Sequence, residues 1–122
     1  MGWAQDVSDK GFSRKQGVAI VPEDPEDAQL WEEVVKEKTI TAADHQKAYD
    51  NWETTDDHSM LIVGIAKDQN GTKYYKVKNS WGEAGPYKGY WYCSDAFVRL
   101  HTVFFTLHKD ALSRDVRKNL GL

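Results

Sequence analysis

The chain has 122 residues, 40% of them apolar and 12% aromatic, with a formal net charge of −3. That length holds one domain or part of one, and so many aromatic residues exclude a disordered tail. The charge offers no basic face for nucleic acid, and the longest apolar run, Leu61–Ala66, is far too short to cross a bilayer.

The N-terminus has neither the basic start nor the apolar stretch of a secretory signal. Met1-Gly2 suggests N-myristoylation, but Asp6 stands where that signal wants Ser or Thr. Residues 1–21 read as two short extended pieces punctuated by Gly11 and Gly17, and Val18–Val21 is a strand. Pro22–Asp27 is an acidic turn, a solvated loop whose carboxylates suit a helix start. Residues 26–37 then read as a helix, with Leu30, Trp31, Val34 and Val35 on one face. Thr41 begins a second helix, with Asp44 three residues on as a variant capping box. Ala48, Tyr49 and Trp52 share one side of it, as core rather than as a ligand platform, and His45 lies on its exposed side.

From His58 the period changes. His58–Lys67 is a strand, Asp68–Gly71 a turn and Thr72–Lys78 the return strand. Asn-Gly is a strong hairpin signal because both residues tolerate positive φ. A glycine-rich loop, Gly82–Gly89, leads to a third strand, Tyr90–Cys93. Ser94 caps a short helix through Leu100, Thr102–His108 is a fourth strand, and Asp110–Leu120 is a terminal helix ending at Gly121. His101 and His108, an odd number of residues apart, point to opposite faces of that strand and do not share a metal.

The hairpin brings His58 and Asn79 to one open end. A thiol nucleophile at neutral pH needs an imidazole beside it, and the imidazole needs one orientation and one tautomer. A side-chain amide oxygen that accepts the ring N–H supplies both without adding charge. An indole covering that bond keeps water off it, and Trp81 follows Asn79 closely enough to serve. The single cysteine, Cys93, excludes an internal disulfide and favours a cytoplasmic setting; in mid-strand it reads as a small buried hydrophobe. Asp56-Asp57-His58 lacks a further ligand at metal-binding spacing, and no Gly-x-Ser-x-Gly elbow marks a serine hydrolase.

Asp57-His58 ahead of a strand, then Lys78-Asn79-Ser80-Trp81-Gly82 ahead of Gly89-Tyr90, resembles the papain-like cysteine peptidases. Trp3–Val7, Tyr49–His58, Ser94-Asp95 and the stretch from Leu107 to Val116 are similar to the bleomycin hydrolase and aminopeptidase C branch. The resemblance implies an α+β fold: the β-rich C-terminal lobe of the papain-like fold with flanking helices, spanning residues 1–122. It implies His58 as general base and acid, Asn79 as its orienter, and Trp81 and Asp57 in support. It implies hydrolysis of peptide bonds through a thioester, with no metal and no organic cofactor. The Gln and Cys-Trp segments of the family's helical lobe have no counterpart here, so the nucleophile is expected from a missing N-terminal lobe or a partner chain. The matching segment ends close to Leu122, so the aminopeptidase specificity that a C-terminal tail gives that branch does not follow. The rival expectation is a non-catalytic lobe that binds a partner chain or forms homo-oligomers through an exposed apolar face.

Overall fold

A computed structural model describes residues 1–122. The strands are β1 (Gly2–Gln5), β2 (Phe12–Ser13), β3 (Val18–Ala19), β4 (His58–Lys67), β5 (Lys73–Lys78), β6 (Tyr90–Ser94) and β7 (Thr102–Thr106). The helices are α1 (Ala42–Asp50), α2 (Asp95–His101) and α3 (Arg114–Asn119), with a 3-10 turn at Lys109–Ala111. One seven-stranded sheet runs in the order β2-β3-β6-β5-β4-β1-β7. All its pairs are antiparallel except β3 with β6. The fold is therefore α+β, as the sequence predicts.

The β4–β5 hairpin forms where Asn70-Gly71 predicts it. Gly71 takes φ +80, and the Asp68 carboxylate accepts the Asn70 and Thr72 N–H groups at 2.8 and 2.9 Å. Alternation then sorts the side chains. Trp3 opposite Met60, Ile62 opposite Val77, and Val77 opposite Trp91 line one face. That face carries the core, with Trp3, Phe12, Ala19, Val77, Trp91, Cys93 and Phe97 all buried. Each large apolar side chain removed from water contributes about 1.5–3 kcal/mol. Helix α2 lies on this face, with Phe97 edge-on to Trp3 at 6.5 Å. Its first turn is capped by Ser94, whose hydroxyl accepts the Phe97 N–H at 3.1 Å and donates to Glu37 at 2.6 Å.

Several expectations fail for identifiable reasons. Residues 26–37 are turns and an extended stretch, not a helix. Asp24 and Asp27 hydrogen-bond the N–H groups of Glu26 and Gln29 at 3.0 and 2.8 Å, which competes with helical pairing. The end of the segment is drawn alongside residues 21–23, with Glu23 N–H on Lys36 O and Lys38 N–H on Val21 O, each at 2.9 Å. Leu30, Trp31, Val34 and Val35 therefore share no helical face. Helix α1 forms with the expected Thr41–Asp44 capping box. Only Ala48 of its apolar side is buried; Tyr49 and Trp52 are 51% and 82% exposed. His45 is half-buried, its Nε2 at 2.7 Å from Thr102 O. The terminal helix is broken because Ser113 caps a fresh start, accepting the Val116 N–H at 3.4 Å. His101 closes α2 and is buried, while His108 is exposed beyond β7, so they are not partners on one strand.

Candidate active site

His58 opens β4 and Asn79 follows the last residue of β5, so the hairpin's open end holds both. His58 Nε2 lies 2.8 Å from Asn79 Oδ1. The Ser80 N–H also reaches that atom, at 2.7 Å. A backbone N–H can only donate, so the shared atom is the amide oxygen and the His58 proton sits on Nε2. In the neutral ring Nδ1 then carries the free lone pair, and Asn79 is the hydrogen-bond partner of Nε2 alone. Asn79 is 5% exposed, its Nδ2 has no partner, and its N–H is held by Gly89 O at 3.0 Å.

Trp81 lies against the imidazole, with ring centroids 5.1 Å apart and planes tilted by 37°. Its indole is held by Trp91 edge-on at 5.5 Å, Phe12 edge-on at 6.2 Å and the Arg14 guanidinium 4.7 Å from the ring. The loop between Trp81 and β6 closes through Gly89, which takes φ +91. A Cβ there would lie 2.0 Å from Gly82 O, so only glycine fits.

Asp57 is exposed and accepts the Val7 N–H at 3.0 Å, tying the approach to β4 onto the N-terminal segment. Cys93 stands apart. It is fully buried, and burial raises its thiol far above the usual range. It pairs with Tyr75, which pairs with Ile65, seven residues along β4 from His58. That is roughly 20 Å of strand. No group of three or more His, Cys, Asp or Glu residues is arranged to hold a metal ion, and no helix is long and apolar enough to cross a membrane. A cavity of about 550 Å³, lined by Glu37, Asp44, Lys47 and Glu53 among others, includes neither His58 nor Asn79. The pair lies at the rim of the sheet.

A polar cluster behind this rim has no local signature in the sequence. Asp6 is buried and accepts from Ser8 and Thr55. Burial works against its charge, but these donors outweigh it and hold the carboxyl below the usual carboxylate range. His101, 2% exposed, places Nδ1 at 3.0 Å from Thr54 Oγ1. Burial lowers its pKa, opposed by Asp9, Asp6, Asp57 and Glu53. Asp6-x-Ser8 is readable as a local turn, but its pairing with Thr55 spans the chain and leaves no short-range pattern.

A mixed sheet whose open end joins an imidazole to an asparagine under an indole has the architecture of the papain-like cysteine peptidases. The chain belongs to the Peptidase C1-like family, whose model matches residues 6–121. It is similar to aminopeptidase C of Lactobacillus helveticus, 33% identical over 69 residues, which are 57% of this chain and 15% of the relative. Aminopeptidase C of Lactococcus lactis subsp. cremoris is 36% identical over 59 residues, 48% of this chain and 14% of the relative. Among solved structures, PepW from Lactobacillus rhamnosis HN001 matches with a TM-score of 0.63 and 26% identity. That match covers 97% of this chain and 25% of the PepW chain. This chain spans only about 15% of the length of these aminopeptidase C relatives and a quarter of the PepW chain.

Proposed function

We propose that this chain supplies the imidazole and its orienting amide to a thiol-dependent peptidase of aminopeptidase C type, as its C-terminal lobe. The observation that supports this is the His58 Nε2–Asn79 Oδ1 bond of 2.8 Å, with the oxygen's identity fixed by Ser80. In the neutral ring it leaves Nδ1 as the basic atom, on a half-buried side chain at the rim of the sheet. There it takes the proton of a cysteine thiol, and the thiolate attacks the peptide carbonyl. The imidazolium then gives its proton to the leaving amine as the C–N bond breaks, leaving a thioester on the cysteine. His58 next takes a proton from water as the water attacks the thioester; the C–S bond then breaks, the carboxylic acid is released, and the imidazolium returns its proton to the cysteine thiolate. Trp81 and Asp57 keep the ring shielded and the approach loop in place.

Cys93 does not suit the role of nucleophile, because it is buried, hard to ionise and distant along the sheet. The nucleophile in this reading comes from a Cys-bearing lobe, in the same protein or on a partner chain. The substrate is a peptide, the compartment is the cytoplasm, and neither metal nor organic cofactor takes part. The test is turnover of fluorogenic aminoacyl peptides with iodoacetamide labelling followed by mass spectrometry. These 122 residues alone should give no thiol-dependent turnover, and Cys93 should label only on unfolding. Addition of the Cys-bearing lobe of an aminopeptidase C should give turnover that His58→Ala abolishes. Turnover by the chain alone that both His58→Ala and Cys93→Ala abolish would overturn the assignment.

A second reading, a non-catalytic lobe that self-associates or docks on a partner, is favoured by one observation. Phe104 and Phe105 of the edge strand β7 are 52% and 43% exposed.

A further inference from the structure

The loop that delivers His58 contains a strained residue and a clasp that holds it. Trp52 has φ +66, a conformation that side chains rarely adopt. Its indole is 82% exposed, so packing of the ring does not keep it there. Strain of this kind persists only where the surroundings over-determine it. Here they do so just beyond Trp52. The Thr54 N–H reaches Ala48 O at 2.9 Å, and the buried Thr54 hydroxyl meets His101 Nδ1 at 3.0 Å. The Thr55 N–H and hydroxyl both donate to Asp6 Oδ2, at 2.7 and 3.1 Å. The other Asp6 oxygen accepts the Ser8 N–H at 2.7 Å and the Ser8 hydroxyl at 2.5 Å. Asp6 is 1% exposed, so its carboxylate exchanges water for these donors.

The position of this clasp gives it a consequence. Strands β1 and β4 pair antiparallel, and their last partners are Gln5 and His58. Asp6 follows Gln5, and Thr55 lies shortly before His58. The Asp6–Thr55 contact therefore extends the ladder past its end, on the side where His58 enters the site. The ring has one hydrogen bond of its own, to Asn79, beside its packing on Trp81, so the direction of the incoming backbone, which Asp57 also ties to Val7, bears directly on whether that bond forms.

We propose that Asp6 is a positioning residue for His58, acting through Thr55 to set the imidazole's orientation and tautomer. The proposal rests on His58 as the catalytic imidazole, but its test reads the ring directly and needs no turnover. The measurement is ¹⁵N NMR of the His58 imidazole in the full chain, with amide exchange at Thr55. The native chain should show Nε2 protonated and Nδ1 unprotonated. In Asp6→Asn and in Thr55→Val, the two ring nitrogens should move toward each other as tautomers mix. Thr55 amide exchange should rise about tenfold or more, the factor that one lost hydrogen bond near a charge represents. Thr55→Ser, which keeps the hydroxyl, should restore the native ring signals. The indole signals of Trp3 and Trp91 should stay in place throughout.

Unchanged ring signals in both Asp6→Asn and Thr55→Val would overturn the proposal. So would Thr55→Ser behaving like Thr55→Val, since a lost methyl would then be the cause. If Asp6→Asn does not fold, Thr55→Val decides; displaced indole signals in both would mean a general structural role instead. Asn79→Ala separates the two levels. If it leaves the ring unchanged, the dyad reading fails and the clasp has nothing to position. If it shifts the ring while the clasp variants do not, only the clasp fails.

Discussion

His101 is held neutral in the fold because burial opposes its charge more strongly than Asp9, Asp6, Asp57 and Glu53 favour it. Its Nε2 has no hydrogen-bond partner and lies 3.7 Å from Asp9 Oδ2. The folded pKa is below the ordinary value of 6.5, so the unfolded chain takes up the proton first as pH falls. Stability present above pH 6.5 is therefore lost as pH drops below that value toward the folded pKa. The slope cannot exceed about 1.4 kcal/mol per pH unit for one proton. Urea midpoints measured from pH 8 down to pH 5 should fall with this sense, and His101→Gln should flatten the fall. A slope unchanged by His101→Gln would assign it to other groups. Cys93 follows the same logic of burial. A hydroxyl in its place has no partner, so Cys93→Ser should cost about 1–3 kcal/mol, while Cys93→Ala should leave any turnover of an assembled enzyme unchanged.

At the scale of elements, what was legible in the sequence depended on how locally each element is determined. The β4–β5 hairpin is fixed by Asn70-Gly71, α1 by its Thr41–Asp44 box and α2 by Ser94, all within a few residues. Segment 26–37 carried an apolar pattern of helical period, yet its end is held by residues 21–23 and its start by Asx turns. A pairing partner that far upstream is invisible to periodicity. The His58–Asn79 pair was legible because one hairpin carries both residues; the Asp6 clasp was not, because it joins distant segments. Ser94 shows how one residue links local and distant structure. It caps α2 and also donates to Glu37, whose pKa burial raises against the hydrogen bonds from Ser94 and Val21. Ser94→Ala should therefore exceed the usual capping loss of about 1 kcal/mol, because it also strips a donor from a buried carboxylate. Gly89→Ala should be as costly, about 2 kcal/mol or more, since it combines positive φ with a backbone clash. It should also disturb Asn79, whose N–H rests on Gly89 O. Denaturant unfolding measures both losses, and a Gly89→Ala chain of native stability would show that the loop has another path.

At the scale of the whole molecule, the sheet has one covered face and one face without a helix packed on its centre. Trp3, Met60, Val77 and Trp91 fill the first. Leu61 and Phe104, which alternate away from Trp3 and Met60, stand on the second at 46% and 52% exposed. Strand β7 adds an edge whose outer backbone groups no strand of the chain pairs. Exposed aromatic residues on an unpaired edge are a template for association, which natural sheets usually blunt with charge. The chain places Lys76 and Lys78 on the central strand β5 instead, while Thr102–Thr106 is uncharged. If this edge drives association, sedimentation of the isolated chain should show a mass that rises with concentration. Phe104→Lys should weaken that association by about tenfold or more, since a buried aromatic contact contributes at least ~1.5 kcal/mol. Phe104 is opposite Ala4, which is opposite Ser59, so it stands two strands across on the face turned away from His58 and Met60, and its substitution should leave the His58 ring signals as they are. Association that survives Phe104→Lys unaltered would move the contact off this edge. Association lost together with the His58 signals would mean that β7 supports β1, and through it the strand that carries His58.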